Sequence, residues 1–341
     1  MCNIAGYVGT KQAAPIIVEM LRKQEGWDSG YYTGIGTICD GEFYMEKGVG
    51  SLQMLLVRKD VTKLPGNIGF IHGRSYGNEG DAYAHPFTGT DGDILYLANG
   101  TNGAFRDPSY EKVRKLYAEL KTQGCEFLSH MEGDYPMLPG GGKIHGSDLM
   151  CQQIVSHIRS GMSTMDAMEK AYCDRVGEIV GLTLNRKTPD RISFARINYP
   201  MFVAIADHGM YMATTPQAFP EDAREIMLLP ALSCGEVYAD RYVIKPFKNP
   251  PCTVADITPE IYAKAYAAVV EALQEQDRDH DYLDKMIKDL FRDGDCAPEP
   301  PLDYMILNDL EKQGRLETKL TYVRGVREGT QRPKFFASLI K

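Results

Sequence analysis

The distribution of short apolar runs is the feature that most constrains the fold of this 341-residue chain. One group of runs lies before residue 100, and a second group lies between residues 192 and 246. Runs of this length that end at Gly, Asp or Asn are typical of strands. Between the groups, apolar residues recur at helical spacing over 148–160 and 163–180. This order predicts an α+β fold in which helices stack on antiparallel sheets.

The composition changes at Asn249-Pro250-Pro251. Beyond this point the spacing predicts helices over 258–276 and 279–292, then a short helix over 302–313 and a strand-like tail. We therefore divide the chain into a first domain of residues 1–250 and a C-terminal module of residues 253–341. The end of this module faintly resembles a winged helix. The favoured interpretation is a helical appendage that packs on the first domain or on a partner.

Charge and hydropathy limit the classes of partner. The chain has a formal net charge of −8, which disfavours general nucleic-acid binding because such proteins present a basic face. Residues 311–341 hold eight Lys and Arg against three Asp and Glu. Residues 302–341 are therefore the one candidate segment for nucleic acid. No apolar run approaches the ~20 residues that span a bilayer, and no signal peptide is visible. We expect a cytoplasmic protein without membrane contact.

Cys2 is the candidate nucleophile. Removal of Met1 would leave a cysteine whose thiol and free α-amine belong to one residue. An α-amine titrates near pH ~8, so part of it is an unprotonated base at neutral pH. A nucleophile with its own base is a known arrangement for acyl transfer. The alternative is that a cysteine stands at position 2 by chance, and position alone favours chance.

The residues around and beyond Cys2 carry a family resemblance. Residues 1–9 (Met-Cys-Asn-Ile-Ala-Gly-Tyr-Val-Gly) resemble the start of class II glutamine amidotransferases. Further similar blocks follow in the family's order: 26–29 (Gly-Trp-Asp-Ser), 71–76 (Ile-His-Gly-Arg-Ser-Tyr), 84–87 (Ala-His-Pro-Phe), 97–102 (Leu-Ala-Asn-Gly-Thr-Asn) and 147–148 (Ser-Asp). They resemble the glutaminase domains of glucosamine-6-phosphate synthase and phosphoribosylpyrophosphate amidotransferase over residues 1–245. The resemblance implies a four-layer α/β/β/α sandwich of the Ntn-hydrolase type.

The resemblance also implies a reaction and its residues. Glutamine would be hydrolysed to glutamate and ammonia through a γ-glutamyl thioester on Cys2. Arg74 matches the residue that grips the substrate carboxylate, for which a guanidinium offers two parallel bonds. Asp148 matches the residue that pairs with the substrate ammonium. Asn99 and the N–H of Gly100 match the donors to the oxyanion of the tetrahedral intermediate. No cofactor and no metal are implied.

Departures from the family pattern leave alternatives open. Asn3 stands where the family usually has glycine, and Glu25 stands where it usually has arginine. Residues 132–147 form a glycine-rich loop that resembles an insertion before Asp148. His72 and His85 are interpreted as structural histidines. One alternative is a Cys-type Ntn hydrolase of another amide. The other is a non-catalytic Ntn-fold protein with a regulatory or sensing role, which Asn3 and Glu25 favour.

Family enzymes carry a second domain that uses the ammonia. About 90 residues follow the proposed first domain, too few for a sugar-isomerase or phosphoribosyltransferase domain. We therefore expect a separate partner protein to accept the ammonia.

Overall fold

The computed structural model describes residues 1–75, 80–102, 110–129, 144–174, 177–291 and 301–340. Its strands are β1 (Asn3–Gly9), β2 (Tyr32–Cys39), β3 (Glu42–Val49), β4 (Ile68–Arg74), β5 (Phe87–Thr88), β6 (Ile94–Asn102), β7 (Gly177–Asn185), β8 (Ile192–Arg196), β9 (Phe202–Ala206), β10 (Gly209–Ala213), β11 (Arg224–Leu228), β12 (Ser233–Val237), β13 (Tyr242–Pro246), β14 (Leu316–Arg324) and β15 (Gln331–Leu339). Its helices are α1 (Ala13–Arg22), α2 (Glu25–Asp28), α3 (Leu52–Arg58), α4 (Glu111–Thr122), α5 (Gly146–Arg159), α6 (Thr164–Cys173), α7 (Pro259–Glu275), α8 (His280–Leu290) and α9 (Leu302–Lys312).

Two large sheets form the centre of the first domain. The first has seven strands in the order β11-β9-β10-β1-β4-β2-β3, and the second has six in the order β13-β12-β8-β7-β6-β5. Neighbouring strands in both sheets run antiparallel. The α+β prediction with antiparallel sheets is therefore confirmed.

Alternating side chains of β1 show how the layers arise. Ile4 and Val8 point into the space between the two sheets, where they pack with Phe70 and Leu97. Tyr7, on the opposite face of the same strand, packs in the cluster formed with α1. Successive side chains of a strand point to opposite faces, so a central strand buried on both sides must be apolar throughout. Helices α5 and α6 cover the outer face of the second sheet, which completes a helix–sheet–sheet–helix order.

The structure corrects two predicted elements. The helix predicted over 163–180 ends at Cys173, and β7 begins at Gly177. Strand β7 lies inside the second sheet, so its apolar residues lack the two-residue alternation that marks a half-buried strand. The last run of the second group, residues 235–246, predicts one strand, whereas the structure has a hairpin there in which β12 and β13 pair antiparallel. Most of the predicted 132–147 loop lies outside the described residues, and α5 begins at Gly146.

The C-terminal module consists of helices α7, α8 and α9 followed by the β14–β15 hairpin. Its apolar side chains, including Leu283, Leu307 and Phe335, form one cluster with Trp27 of the first domain. The docking of the module on the first domain is therefore part of the packed core. No helix in the described part of the chain is both long and apolar enough to cross a bilayer.

The first domain and the C-terminal module pack together closely at α2. The rings of Trp27 and Phe335 meet edge to face with centroids 5.3 Å apart, and Trp27 is 2% exposed. A Cβ atom on Gly26 would lie 2.6 Å from the Phe335 ring, so only glycine fits there without movement. Arg332 of β15 donates to the Ser29 carbonyl at 3.3 Å and to the Tyr31 hydroxyl at 3.0 Å. Residues 26–31 thus form a contact surface for β15.

Glu25, the charge reversal noted in the sequence, has a structural contact. Its Oε1 accepts a hydrogen bond of 2.6 Å from the Leu52 N–H, one of the free donors at the start of α3. Burial raises the pKa of Glu25 to about 7, against the opposing effects of the Leu52 bond and of Arg22 and Arg332. Glu25 therefore joins α2, α3 and the module's Arg332 at one buried point.

The contact at Gly26 predicts a specific energetic coupling. Gly26→Ala should destabilise the protein by ~1–3 kcal/mol, because the added methyl group forces Phe335 out of its position. In a Phe335→Leu background the same change should cost clearly less, since the ring it would strike is gone. Urea unfolding of the four proteins in this double-mutant cycle measures the coupling. Equal costs of Gly26→Ala in both backgrounds would show that the module does not pack on α2 as described.

The raised pKa of Glu25 predicts a pH-dependent stability. Its folded pKa of about 7 lies above the ordinary value of 4.5, so the stability that its protonated form contributes is fully present below pH 4.5. That contribution is lost as the pH rises through about 7. Glu25→Gln keeps an acceptor for Leu52 without the charge. It should be more stable than the wild type by roughly 1–3 kcal/mol at pH 8, and the difference should shrink towards pH 5.

Urea unfolding at both pH values checks this expectation. Glu19→Gln is the matched control, because Glu19 lies on the exposed side of the nearby helix α1. A constant difference between Glu25→Gln and the wild type from pH 5 to pH 8 would contradict the assigned burial of the charge.

Candidate active site

Cys2, Arg74 and Asn99 come from three strands whose ends meet where the two sheets face each other. Cys2 precedes β1, and Asn3 pairs with Gly73 of β4, which places Arg74 beside the start of β1. Asn99 lies on β6 of the other sheet and reaches Cys2 by a hydrogen bond. The structure therefore brings the predicted nucleophile and a predicted oxyanion donor into direct contact.

The Asn99 side chain is oriented by the backbone of Cys2. Its Oδ1 accepts a 3.0 Å hydrogen bond from the Cys2 N–H, and the residue is 1% exposed. Its Nδ2 has no hydrogen-bond partner among the described residues, although it is buried. A buried donor without a partner lowers the stability of the protein by ~1–3 kcal/mol. A ligand that accepts a hydrogen bond from this donor would remove that cost. The following residue, Gly100, has φ of 107°, a conformation that favours glycine.

The Cys2 thiol lies in surroundings that stabilise its charged form. Its Sγ lies 3.5 Å from the Ser75 hydroxyl. Burial alone would raise the pKa of the thiol. The His72 imidazole, the positive N-terminus and Ser75 outweigh burial and lower the pKa to about 6. At neutral pH the sulfur is therefore mostly the thiolate, which is the nucleophilic form of cysteine.

Three buried histidines line the region next to the thiol. The rings of His72 and His85 have centroids 3.9 Å apart and planes tilted by 33°, and the rings of His85 and His145 meet at 5.1 Å. Burial lowers the pKa of His85 and of His145 well below the ordinary value, and neighbouring cationic groups act in the same direction. Among the described residues no group of three or more His, Cys, Asp or Glu side chains is placed to hold a metal ion.

Sequence reasoning assigned His72 and His85 to the core and did not connect them with Cys2. The alternation of side chains along β4 could have indicated this connection, because it places His72 on the same strand face as Arg74. The proximity of His85 and His145 could not be read from the sequence, because His85 lies between β4 and β5 whereas His145 directly precedes α5.

Contacts with Tyr83 and Tyr32 help to hold Arg74 at the end of β4. Its Nη1 donates to the Tyr83 carbonyl at 3.2 Å, and its guanidinium carbon lies 5.0 Å from the centre of the Tyr32 ring. The side chain is 7% exposed. A planar guanidinium stacked on an aromatic ring is restricted in orientation, which suits the recognition of a carboxylate.

Asp148 has a structural contact that the sequence did not predict. Its Oδ2 accepts from the Leu128 N–H at 2.8 Å and from the N–H and hydroxyl of Ser129 at 2.9 and 2.8 Å. Its Oδ1 accepts from the Gln152 side chain at 3.2 Å. Burial raises the pKa of Asp148, and these bonds act against burial. A substrate ammonium would have to bind at Oδ1, so this role stays a prediction.

Lys47 is a buried cation near the site that sequence reasoning missed. Its Nζ donates to the carbonyls of Ala84 and Pro86, both at 2.8 Å. Burial lowers the pKa of Lys47 to about 8, while Asp148 acts in the opposite direction. The lysine therefore fixes segment 84–86, which contains His85.

The C-terminal module also surrounds the start of the chain. The amine of Met1 forms an ion pair with Asp28, and Met1 packs against the module's apolar cluster. Burial lowers the pKa of this amine, against the attraction of the Cys2 thiolate and of nearby carboxylates that include Asp303. The Asn3 side chain is close enough to the Tyr304 hydroxyl to oppose the effect of burial, which raises the pKa of Tyr304. Asn3, like Glu25, thus faces the module.

No protein-family model matches the chain. Over 249 residues it is 29% identical to glutamine–fructose-6-phosphate aminotransferase (isomerizing) of Pyrococcus horikoshii, a match that covers 72% of this chain and 38% of the relative. Over 230 residues it is 30% identical to the enzyme of the same name from Clostridium acetobutylicum, which covers 66% of this chain and 33% of the relative. The chain thus spans about a third of the length of the curated relatives it matches.

A solved structure shares the fold. Glutamine phosphoribosylpyrophosphate amidotransferase of B. subtilis superimposes with a TM-score of 0.56 at 17% identity, over 72% of this chain and 49% of that one. This likeness concerns the fold alone. Together with the ordered blocks around Cys2, Arg74 and Asn99, these similarities show that the chain resembles the class II, N-terminal-nucleophile glutamine amidotransferases, as its sequence predicted.

Proposed function

We propose that the protein hydrolyses glutamine to glutamate and ammonia, with Cys2 as the nucleophile. The observation that carries this proposal is the contact between Cys2 and Asn99. The amide of Asn99 accepts from the nitrogen of Cys2, whose thiol has a low pKa, and its Nδ2 donor has no partner in the part of the chain that the structure describes. The similarity to glutamine–fructose-6-phosphate aminotransferases supports glutamine as the amide that is cleaved.

Removal of Met1 would convert the Cys2 nitrogen from an amide to an amine and would leave the nitrogen in its place. The amide N–H that donates to Asn99 would become an α-amine held by the same oxygen. An α-amine is a base near neutral pH and could accept the proton of the thiol. The thiolate then attacks the side-chain carbonyl of glutamine, ammonia leaves, and water hydrolyses the thioester.

The oxyanion formed in the attack would lie against Asn99 Nδ2 and the Gly100 N–H. The Asn99 donor needs no rearrangement, because Cys2 already fixes the orientation of the amide. A donor held in place before the reaction stabilises the transition state more than a mobile one. Arg74 would bind the substrate carboxylate, and Asp148 would bind its ammonium through Oδ1.

The ammonia acceptor is proposed to be a separate partner protein. The module has the order helix, helix, helix, hairpin, which is the basis for a winged-helix-like description. Several of its cations form ion pairs within the chain, such as Lys319 with Asp277 at 3.0 Å and Arg327 with Asp81 at 3.6 Å. These pairs reduce the charge available for nucleic acid and favour a protein as the partner.

The non-catalytic alternative drew its support from Asn3 and Glu25. Both residues face the C-terminal module, and Glu25 also binds the start of α3. The module thus offers a structural reason for these departures that does not require the loss of catalysis.

The direct test of the proposed function is the release of glutamate. Purified protein, with loss of Met1 verified by intact mass, should release glutamate from glutamine, and Cys2→Ala should release none above background. Alanine at this position should leave the melting temperature nearly unchanged, because the substitution removes a single sulfur atom and its 3.5 Å contact with the Ser75 hydroxyl is a weak one. Equal rates in both proteins would remove Cys2 from the mechanism. An inactive wild type that has lost Met1 would instead favour the non-catalytic protein.

Substitutions of Asn99 test the oxyanion role. Asn99→Asp keeps the acceptor for the Cys2 nitrogen but replaces the Nδ2 donor with an oxygen, whereas Asn99→Ala removes both. Each should lower kcat for glutamine by ~10²-fold or more with a smaller change in KM, because the lost donor acts mainly in the transition state. Steady-state glutamate release measures both constants. If KM rose while kcat stayed constant, Asn99 would be a substrate-binding residue instead.

A further inference from the structure

We infer that His72 is a base for the Cys2 thiol, so that this cysteine is activated by an imidazole as well as by any α-amine. The catalytic part of this inference rests on the proposed glutamine hydrolysis. Its chemical part, a thiolate held next to an imidazolium, concerns two groups of the chain and can be tested without a substrate.

The strand register places the two groups together. Ile4 of β1 pairs with His72 of β4, and Cys2 lies two residues before Ile4. Residues two apart in an extended chain point to the same face, so Cys2 projects to the face that carries His72. The imidazole is fully buried, and of the groups that lower the pKa of the Cys2 thiol it has the largest effect.

A single hydrogen bond fixes the tautomer of His72. Nε2 lies 3.0 Å from the Ala98 carbonyl, and a carbonyl oxygen only accepts, so Nε2 carries a hydrogen. In the neutral ring Nδ1 is then an acceptor. This atom is buried and has no hydrogen-bond partner among the described residues. It is therefore the ring nitrogen that remains to take a proton from the thiol, while Ala98 stabilises the resulting imidazolium.

Each step of the reaction balances with His72 as the proton carrier. In the ion pair the proton of Cys2 already lies on Nδ1, so the thiolate forms a bond to the amide carbon while the carbonyl electrons move to oxygen. When the carbonyl forms again and the C–N bond breaks, Nδ1 gives its proton to the leaving nitrogen, which departs as ammonia. Water then loses a proton to Nδ1 as it attacks the thioester, the C–S bond breaks, and the thiolate and imidazolium are restored.

The surrounding charges are compatible with this assignment. His85, just before β5, has its ring 3.9 Å from that of His72, and His145, just before α5, meets His85 at 5.1 Å. Arg74 lies on the same strand as His72, and Lys47 lies on β3. Burial and these positive neighbours lower the pKa of His85 and of His145, so both rings are neutral at physiological pH. The Cys2 thiolate supplies the counter-charge for an imidazolium at His72.

The experiment is the pH dependence of Cys2 alkylation. Iodoacetamide labelling of the Cys2 peptide, followed by mass spectrometry from pH 5 to pH 10, reports the thiolate of this cysteine alone. The wild type should show a midpoint near pH 6. His72→Gln keeps a donor for the Ala98 carbonyl but has no basic nitrogen. Its midpoint should rise by roughly two units or more, because burial then dominates.

His85→Gln is the matched control, because it replaces the ring beside His72 and leaves the His72 imidazole itself in place. Its midpoint should stay near that of the wild type. An unchanged midpoint in His72→Gln, or equal rises in both variants, would overturn the assignment. If His72→Gln does not fold, His72→Asn provides the same test.

The same labelling separates this inference from the proposed function. A midpoint near pH 6 that depends on His72, in a protein that releases no glutamate, would end the proposed function and leave the pair intact. Glutamate release, together with a midpoint that is the same in the wild type and in His72→Gln, would support the proposed function and rule out the Cys2–His72 pair.

Discussion

The hydrogen bond from the Cys2 nitrogen to Asn99 joins the two sheets at the point where the chemistry would take place. Cys2 begins the central strand of one sheet, and Asn99 lies near the end of a strand in the other. The bond holds the Asn99 amide beside the proposed nucleophile and fixes which end of the amide accepts from the Cys2 nitrogen. The sandwich can therefore present a prepared site because its two halves are packed through Ile4, Phe70 and Leu97 directly behind it.

The C-terminal module extends this arrangement to the start of the chain. Met1, Asn3, Glu25 and Trp27 all face module side chains, and the N-terminal amine is paired with Asp28 beside them. The packed cluster restricts the first residues of the chain, and the pairing of Asn3 with Gly73 sets the register of β1 on β4. The contribution of the module to the start of the chain is therefore structural.

Much of the fold followed from the sequence because the information was local. The strands around residues 4–8, 68–74 and 94–98 are bounded by turn residues, and the blocks around Cys2, Arg74 and Asn99 keep a recognisable order. Strand β7 was mistaken for a helix because both of its faces are buried. The contacts of Arg332 with Ser29 and of Phe335 with Gly26 join residues about 300 positions apart, and no local pattern encodes such a pairing. The same holds for the histidine pair His85 and His145.

The most direct test of the central claim is the identification of the acyl-enzyme. Protein that has lost Met1 is mixed with glutamine, quenched in acid within milliseconds to seconds, and digested for mass spectrometry. We predict a γ-glutamyl group on the peptide that carries Cys2, present with glutamine, absent with glutamate and absent in Cys2→Ala. Glutamate release without an adduct on Cys2, or with the adduct on another cysteine, would contradict the account.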